Sequence, residues 1–387
     1  MNPYKVCVVT GSRAEFGLLT PLMCALRNDP DFDLQILVTG MHLSLEFGST
    51  YKEIELQGFT IDEEVDMLLS SDTNTAIVKS MGVGMIGYAD SFDRLKPNLI
   101  IILGDRFESF AAAAAAYMKK IPIAHLHGGE ITAGATDEAL RHSITKMALL
   151  HFTSTEKYRK RVLQLGEDND RVFNVGAIGL DNIQNISLLS TRELEKALNI
   201  SLNDEVLLVT FHPVTLDTVS SEDQMKELLD ALTFFKKGQI IFTMPNADAN
   251  GKVIKTMIHQ YTCDNADRAT AFESLGQIKY LSLMKHSSIV VGNSSSGIIE
   301  APGFGKPSIN IGDRQKGRIS AESVIQCQPN KASIVDALNM AFNPTFREFC
   351  ARVQNPYGNG HTTEKIISIL KQNISDLNLK KQFVDRI

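Results

Sequence analysis

Cysteine is scarce and unpatterned. The five residues, Cys7, Cys24, Cys263, Cys327 and Cys350, are odd in number and widely spaced, and no CxxC pair occurs. A disulfide framework and a zinc-knuckle signature are both missing, as expected of reduced thiols in a cytoplasmic protein. No apolar run approaches the ~20 residues needed to span a bilayer. Nor does an apolar core precede a small-residue cleavage site near the N-terminus, so neither a membrane span nor a secretory leader is expected. Excess positive charge is missing too: 39 Lys and Arg against 45 Asp and Glu give a formal net charge of −6. Nucleic acid and anionic membrane are therefore poor candidates for the main partner, and any anion needs a local basic site. There is no short repeat period and no low-complexity linker.

What is present is ordinary globular composition, with 43% hydrophobic and 22% charged residues in a chain of 387. That length predicts two or three domains, each able to bury a core. Short valine- and isoleucine-rich runs at 5–10, 34–38, 99–103 and 121–125 alternate with helical patterns at 15–26, 74–95, 106–119 and 136–149. Shorter strands are expected at 151–153 and 172–175. A second series begins near Gly176, with strands at 206–211, 239–243, 289–291 and 308–311 and a helix at 222–235. Such alternation predicts parallel sheets covered by helices on both faces, in two doubly wound domains facing across a cleft. We assign the domains to 1–175 and 176–361, with a lysine-rich helical tail over 362–387.

Charges stand where these strands end, which is poor for packing and apt for a site at the carboxyl edge of a sheet. Asp105, Arg106 and Glu108 follow one strand, and His125, His127 and Glu130 follow the next, with Asp137, Glu138, Arg141 and His142 soon after. Asp105, Glu130 and Asp137 are expected to form a carboxylate cluster for proton chemistry, although Asp105 could instead cap the helix behind it. Glu130 follows Gly128 and Gly129 and has no evident helix to cap. His125 and His127 are read as scaffold, and His142 as a support for Asp137.

Anion grips are expected at three turns. Gly11, Ser12 and Arg13 sit where a strand turns into a helix, with free N–H groups beside an arginine. Gly292 to Gly297, the run GNSSSG, offers small residues and the hydroxyls of Ser294, Ser295 and Ser296 before a helix expected near Ile298, with Glu300 on its first turn. Arg314, Lys316 and Arg318 follow the last strong strand. His212 ends a strand before Pro213, and Asn246 and Asp248 end the next. A GxGxxG at Gly82, Gly84 and Gly87 lies inside a helix with no strand leading in, so we read it as close helix packing and not a cofactor loop.

In order along the chain stand GSRAEFG, VTGMH, LGDRFE, HLHGGE, TDEALRHSITK, FHPVT, PNADANG, GNSSSGIIE and INIGDRQKGR. Together they resemble the hydrolysing UDP-N-acetylglucosamine 2-epimerases of sialic acid biosynthesis, from Lys5 to about Gly360. They also resemble the epimerase half of the animal bifunctional epimerase/kinase. The resemblance implies a GT-B architecture of two Rossmann-like domains. It implies conversion of UDP-GlcNAc to N-acetylmannosamine and UDP, through elimination to 2-acetamidoglucal and rehydration. Asp105, Glu130 and Asp137 then match the catalytic carboxylates, and His212 a histidine near the diphosphate. Arg13, Arg106, Asn246, Ser294, Ser295, Ser296, Glu300 and Arg314 are assigned to UDP or substrate binding. No cofactor and no metal are implied, and a homodimer or homotetramer is expected.

The first loop, SRAEFGLL, lacks the proline and lysine of the related non-hydrolysing enzymes, and HGGEITAG replaces their EAGLRT-like loop. Both departures favour the hydrolysing branch. Some members of that branch act on UDP-2,4-diacetamido-2,4,6-trideoxy-glucose for legionaminic acid, which stands as the alternative substrate. A GT-B glycosyltransferase is the alternative of another class; it needs one catalytic base, not three acids.

Overall fold

The computed structural model describes residues 2–71, 73–131, 137–214, 219–245, 251–273 and 275–385. The chain divides into two compact units, one comprising Met1–Glu130, Thr136–Asn182 and Tyr357–Ile387, the other Ile131–Ala135 and Ile183–Pro356.

Among the described residues the first unit holds a seven-stranded, all-parallel sheet: β1 (Tyr4–Thr10), β2 (Phe32–Thr39), β3 (Glu63–Val65), β4 (Leu99–Leu103), β5 (Ile123–Leu126), β6 (Leu150–Thr153) and β7 (Val172–Asn174). Their spatial order is β3-β2-β1-β4-β5-β6-β7. All five residues of β4 are buried, as a strand covered on both faces requires. Alternate residues of β1 serve opposite faces. Val6 and Val8 pack with Phe16, Leu19 and Leu22, and Cys7 and Val9 pack with Tyr88, Phe92 and the alanines of the helix Phe107–Met118.

The second unit repeats the plan with six parallel strands: β8 (Val206–Thr210), β9 (Gln239–Thr243), β10 (Ala269–Phe272), β11 (Ile289–Gly292), β12 (Ser308–Ile311) and β13 (Val324–Cys327). The order is β10-β9-β8-β11-β12-β13. Each sheet therefore has one point where the winding reverses, between β1 and β4 and between β8 and β11. Crevices at such reversals are where open α/β sheets bind ligands.

The unit limits differ from the expected 175 and 361, because side chains tie the flanking segments to the first unit. Asn182 Nδ2 donates to the Gly17 carbonyl at 3.0 Å. Asp181 caps the helix Thr362–Asn373, accepting the Thr362 and Thr363 N–H groups at 2.8 and 2.6 Å. That helix buries Ile366 and Leu370 in the core formed by Leu19, Leu22 and Met23. Ile131 leaves for the second unit, where its carbonyl accepts from Arg318 Nε at 2.9 Å.

Two helical expectations need correction. Gly84 and Gly87 in the helix Asn74–Leu95 do not serve helix–helix packing. A Cβ on Gly84 would lie 2.9 Å from Met67 Cε, and one on Gly87 2.7 Å from Val65 Cγ1, so the glycines admit β3 and the residues after it. The helix after the serine loop spans only Ser296–Ile299, then gives way to a 3-10 turn at Ala301–Phe304. Pro302 removes the donor a continuing helix needs. Glu300 thus sits at the end of the first helix and not in its first turn.

The end of the chain seals the helix Asp137–Met147. Lys381 Nζ donates to the carbonyls of Thr145, Lys146 and Ala148 at 3.3, 2.9 and 2.7 Å, capping the last turn. It also pairs with buried Glu167, which holds Lys146 at 2.7 Å and His151 at 3.0 Å. Burial pushes the Glu167 carboxyl up, but its hydrogen bonds and charge contacts with His151, Lys146 and Lys381 outweigh that and hold it at about 2. A depressed carboxyl contributes stability above its ordinary value and loses it as pH falls through about 2. Glu167→Gln is expected to cost ~2–3 kcal/mol near neutral pH and little at the acid end. Denaturant melts at the two pH values check this; equal losses at both would refute the linkage.

Candidate active site

Each sheet presents its chemistry at its reversal point. In the first unit, Gly104 turns out of β4 at φ +77° and delivers Asp105 to the edge. His125 pins that turn: Nε2–H donates to the Gly104 carbonyl at 2.7 Å, while Nδ1 lies 3.1 Å from Thr145 Oγ1. Burial drives His125 down to about 3, so it is a neutral strut, as expected of scaffold. Asp105 does not cap the following helix, whose N-cap Arg106 makes no side-chain cap bond. It forms an ion pair with Arg141, whose side chain is only 3% exposed.

Arg141 comes from the helix Asp137–Met147, which Asp137 opens. Residues four apart share a helix face, so Asp137 lies one turn from the guanidinium that holds Asp105. His142 is not aimed at Asp137. Its Nε2 lies 3.8 Å from Glu138 Oε1, and burial lowers its pKa.

Glu130 is 2% exposed and is held by two donors on one oxygen. Ser154 Oγ donates to Oε1 at 2.6 Å, and His127 Nδ1 lies 3.1 Å from the same atom. The Ile178 N–H donates to His127 Nε2 at 3.3 Å, so the ring proton belongs on Nδ1, where it donates to Glu130. His127 is therefore more than scaffold: it orients the acid. Gly129, at φ +78°, lets this loop lie against the helix Glu156–Gln164, since a Cβ there would fall 2.5 Å from the Tyr158 carbonyl.

On the other side of the reversal, Ser12 caps the helix Arg13–Asn28, and Arg13 stands at its first position, 3.9 Å from Glu53. Arg106 Nε donates to Glu108 Oε1 at 2.5 Å.

In the second unit, a buried asparagine joins the two strands that flank the reversal. Asn293 Oδ1 accepts the His212 N–H at 2.7 Å, and Asn293 Nδ2 donates to the His212 carbonyl at 2.8 Å. His212 itself is 6% exposed. The Asn293 carbonyl accepts from Arg314 Nη1 at 3.1 Å and Gln315 Nε2 at 2.9 Å, which draws Arg314 to the serine loop. Tyr280 OH lies 2.6 Å from Ser296 Oγ, which is 3.0 Å from Ser294 Oγ. Burial raises Tyr280, so it stays protonated; if it donates along this row, the Ser294 hydrogen is left to face an anion. Lys316 and Arg318 have other contacts, with Asp313 at 2.7 Å and with the Ile131 carbonyl.

Asn246 and Asp248 lie outside the described residues. Sequence reasoning placed Arg141 among the charges at the strand ends, Asn293 inside GNSSSG and Gln315 inside INIGDRQKGR without giving them a role, and it missed Ser154. Among the described residues, no group of three or more His, Cys, Asp or Glu side chains is arranged to hold a metal ion, and no helix is long and apolar enough to cross a membrane.

The family model for UDP-N-acetylglucosamine 2-epimerases matches residues 24–371. The chain belongs to the UDP-N-acetylglucosamine 2-epimerase family. It is 43% identical, over all of both chains, to the Campylobacter jejuni GDP/UDP-N,N'-diacetylbacillosamine 2-epimerase (hydrolyzing). It is 40% identical to the polysialic acid biosynthesis protein P7 of Escherichia coli, covering 98% of this chain and 97% of that one. The fold matches the crystal structure of the Neisseria meningitidis UDP-GlcNAc 2-epimerase bound to UDP-GlcNAc with a TM-score of 0.79, at 21% identity, over 95% of this chain and 100% of that one. Within this epimerase family the chain is a UDP-sugar 2-epimerase of the hydrolysing kind.

Proposed function

We propose that the enzyme takes a UDP-linked 2-acetamido sugar, eliminates UDP and rehydrates the resulting glycal with inversion at C2. The observation that carries this is the pair of oriented acids on one sheet edge, Glu130 held by His127 and Ser154 and Asp105 held by Arg141. The C2 proton is not next to a carbonyl and is poorly acidic. Cleavage of the C1–O bond therefore runs ahead, its electron pair leaving on UDP and positive charge building at C1. A carboxylate stabilises that charge and takes the C2 proton as the C1=C2 bond forms. Water then adds its hydroxyl to C1, and an acid returns a proton to the opposite face of C2. Asp105, Glu130 and Asp137 are assigned to these steps. Arg13, Arg106, His212, Ser294, Ser295 and Arg314 are assigned to the leaving nucleotide, where cations and hydroxyls offset its charge. Asn246, Ser296 and Glu300 complete the proposed binding set.

For the sugar, UDP-N,N'-diacetylbacillosamine is favoured by the 43% identity to the Campylobacter enzyme. UDP-GlcNAc is the second substrate, favoured by the 40% identity to a protein named for polysialic acid biosynthesis. Each is incubated with the enzyme in heavy water and followed by proton NMR, with the GDP analogue of the first as a third arm. Free nucleotide together with a C2-deuterated epimer identifies the substrate. Epimerised UDP-sugar without release would point to the non-hydrolysing reaction, and transfer to an acceptor without C2 exchange to a glycosyltransferase. No turnover and no exchange in any arm would sink the proposal.

Arg314→Ala is expected to weaken UDP binding about tenfold or more, the loss of one charge-assisted contact. Unchanged affinity by calorimetry would move Arg314 out of the site. A homodimer or homotetramer is part of the same proposal. The helix Asn74–Leu95 exposes Val78, Val83 and Ile86 at 68, 42 and 69%. Ile86→Glu is expected to shift the sedimentation coefficient toward the monomer; a monomeric wild type would dismiss the association.

A further inference from the structure

Two acids at the reversal point of the first sheet have no place in the reaction above. Glu15 and Glu108 each lie in the first turn of a helix, Arg13–Asn28 and Phe107–Met118, behind the adjacent strands β1 and β4. They are only 7% and 1% exposed. Glu15 Oε2 accepts the Gly11 N–H at 2.7 Å, and its Oε1 accepts from Ser109 Oγ at 3.3 Å. Glu108 Oε1 accepts from Arg106 Nε at 2.5 Å, while Oε2 is buried with no hydrogen-bond partner among the described residues. The backbone is shaped around them: a Cβ on Gly11 would lie 2.6 Å from Glu108 Cγ.

The charges facing this pair do not balance two carboxylates. Arg106 reaches it from the loop after β4, and Arg13 stands on the helix of Glu15 itself, already near Glu53. Tyr88 comes from the helix Asn74–Leu95, its hydroxyl 3.4 Å from the Glu108 carbonyl. His42, from the turn Gly40–Leu43, is kept neutral by burial at about 4. One half-buried guanidinium supports one buried carboxylate; a second buried acid at the same glycine turn keeps its proton. Burial, and then the neighbouring Glu108, push Glu15 up to about 7, in keeping with that count.

We propose that Glu15 keeps a proton and, with Glu108 on the other side of the Gly11 turn, acts as a positioning dyad, which fixes the Gly11 N–H and Arg106 beside the nucleotide sugar. The two tethers run to the turn that carries Arg13 and to Arg106, the basic groups assigned to substrate on this sheet. Loss of the Glu15 proton buries a negative charge beside the turn, which draws Arg106 inward and repels the electron-rich face of the turn. Neither acid touches substrate in this scheme; both act through groups that do.

This inference rests on the proposed reaction only for its kinetic arm. The first measurement uses the enzyme alone: infrared titration of the protonated-carboxyl C=O band between about pH 5 and 9. Wild type is expected to keep such a band to near-neutral pH, and Glu15→Gln to lose it. The second is KM against pH. In wild type KM is expected to rise about tenfold per pH unit once the dyad loses its proton. In Glu15→Gln, fixed in the neutral form, that alkaline rise is absent. Glu108→Gln, which leaves Arg106 without its carboxylate, is expected to raise KM about tenfold at every pH with a smaller change in kcat. A merely structural pair would shift the melting temperature and leave the shape of the KM profile alone. The dyad is overturned if the infrared band is absent from wild type or survives in Glu15→Gln, or if the KM profiles run parallel. The infrared result decides it whether or not the substrate is right.

Discussion

Glu130→Gln is expected to lose about 10²–10⁴-fold in turnover, the usual worth of general acid–base catalysis, while still binding UDP. The substitution suits this test because it is conservative where the fold is concerned. A glutamine carbonyl oxygen can still accept from Ser154 Oγ and His127 Nδ1, which lie 2.6 and 3.1 Å from Oε1. Packing at a site 2% exposed is retained as well. What disappears is the ability to take or give a proton and to offset positive charge at C1. The check is a coupled assay for UDP release beside calorimetry of UDP binding. Near-normal turnover would remove Glu130 from the chemistry. Asp105→Asn is a less clean experiment, because it also strips buried Arg141 of its carboxylate, and breaking a buried pair costs ~3–5 kcal/mol by itself.

Gly292→Ala is expected to unfold or grossly loosen the second unit, at a cost above ~3 kcal/mol. Gly292 ends β11 at φ +135°, opposite Thr210 of β8. A Cβ there would stand 1.9 Å from the Thr210 carbonyl oxygen, a backbone atom that cannot swing aside. The two strands must part where Asn293 clamps His212, so nucleotide binding should fail with the fold. Gly104→Ala is the control. Gly104 also has positive φ, +77°, but nothing lies within 4 Å of its Cβ position, so only the left-handed backbone penalty of ~1–2 kcal/mol applies. Urea midpoints and UDP titration separate the two. Equal midpoints would mean the β8–β11 approach is looser than described.

The legible part of the fold was its buried centre. Strands such as β1, β4 and β8 are apolar on both faces, and that pattern is strong enough to read locally. The edge strands were not legible. β3 is Glu63, Glu64 and Val65, a polar triplet that becomes a strand only because β2 pairs with it and Arg94 grips Glu63 at 2.6 Å. Nor was burial legible at Glu108: the sequence places it among the charges at the strand ends, yet it is 1% exposed. The serine loop was correctly seen as a turn, but Pro302 shortened its helix to Ser296–Ile299 and moved Glu300 off the first turn.

The sequence by itself determined the two βα series, the ends at which charges gather, and the residue types a hydrolysing epimerase needs. These are local properties, set by hydrophobic runs, turn residues and spacing. Only the tertiary structure decided which charge meets which. Arg141 reaches Asp105 across 36 residues, and Asn293 reaches His212 across 81. Such pairings follow from strand order, which places β1 beside β4 and β8 beside β11. Local pattern carries no record of that order, because the free energy that selects it comes from burying whole sheets and not from any one segment.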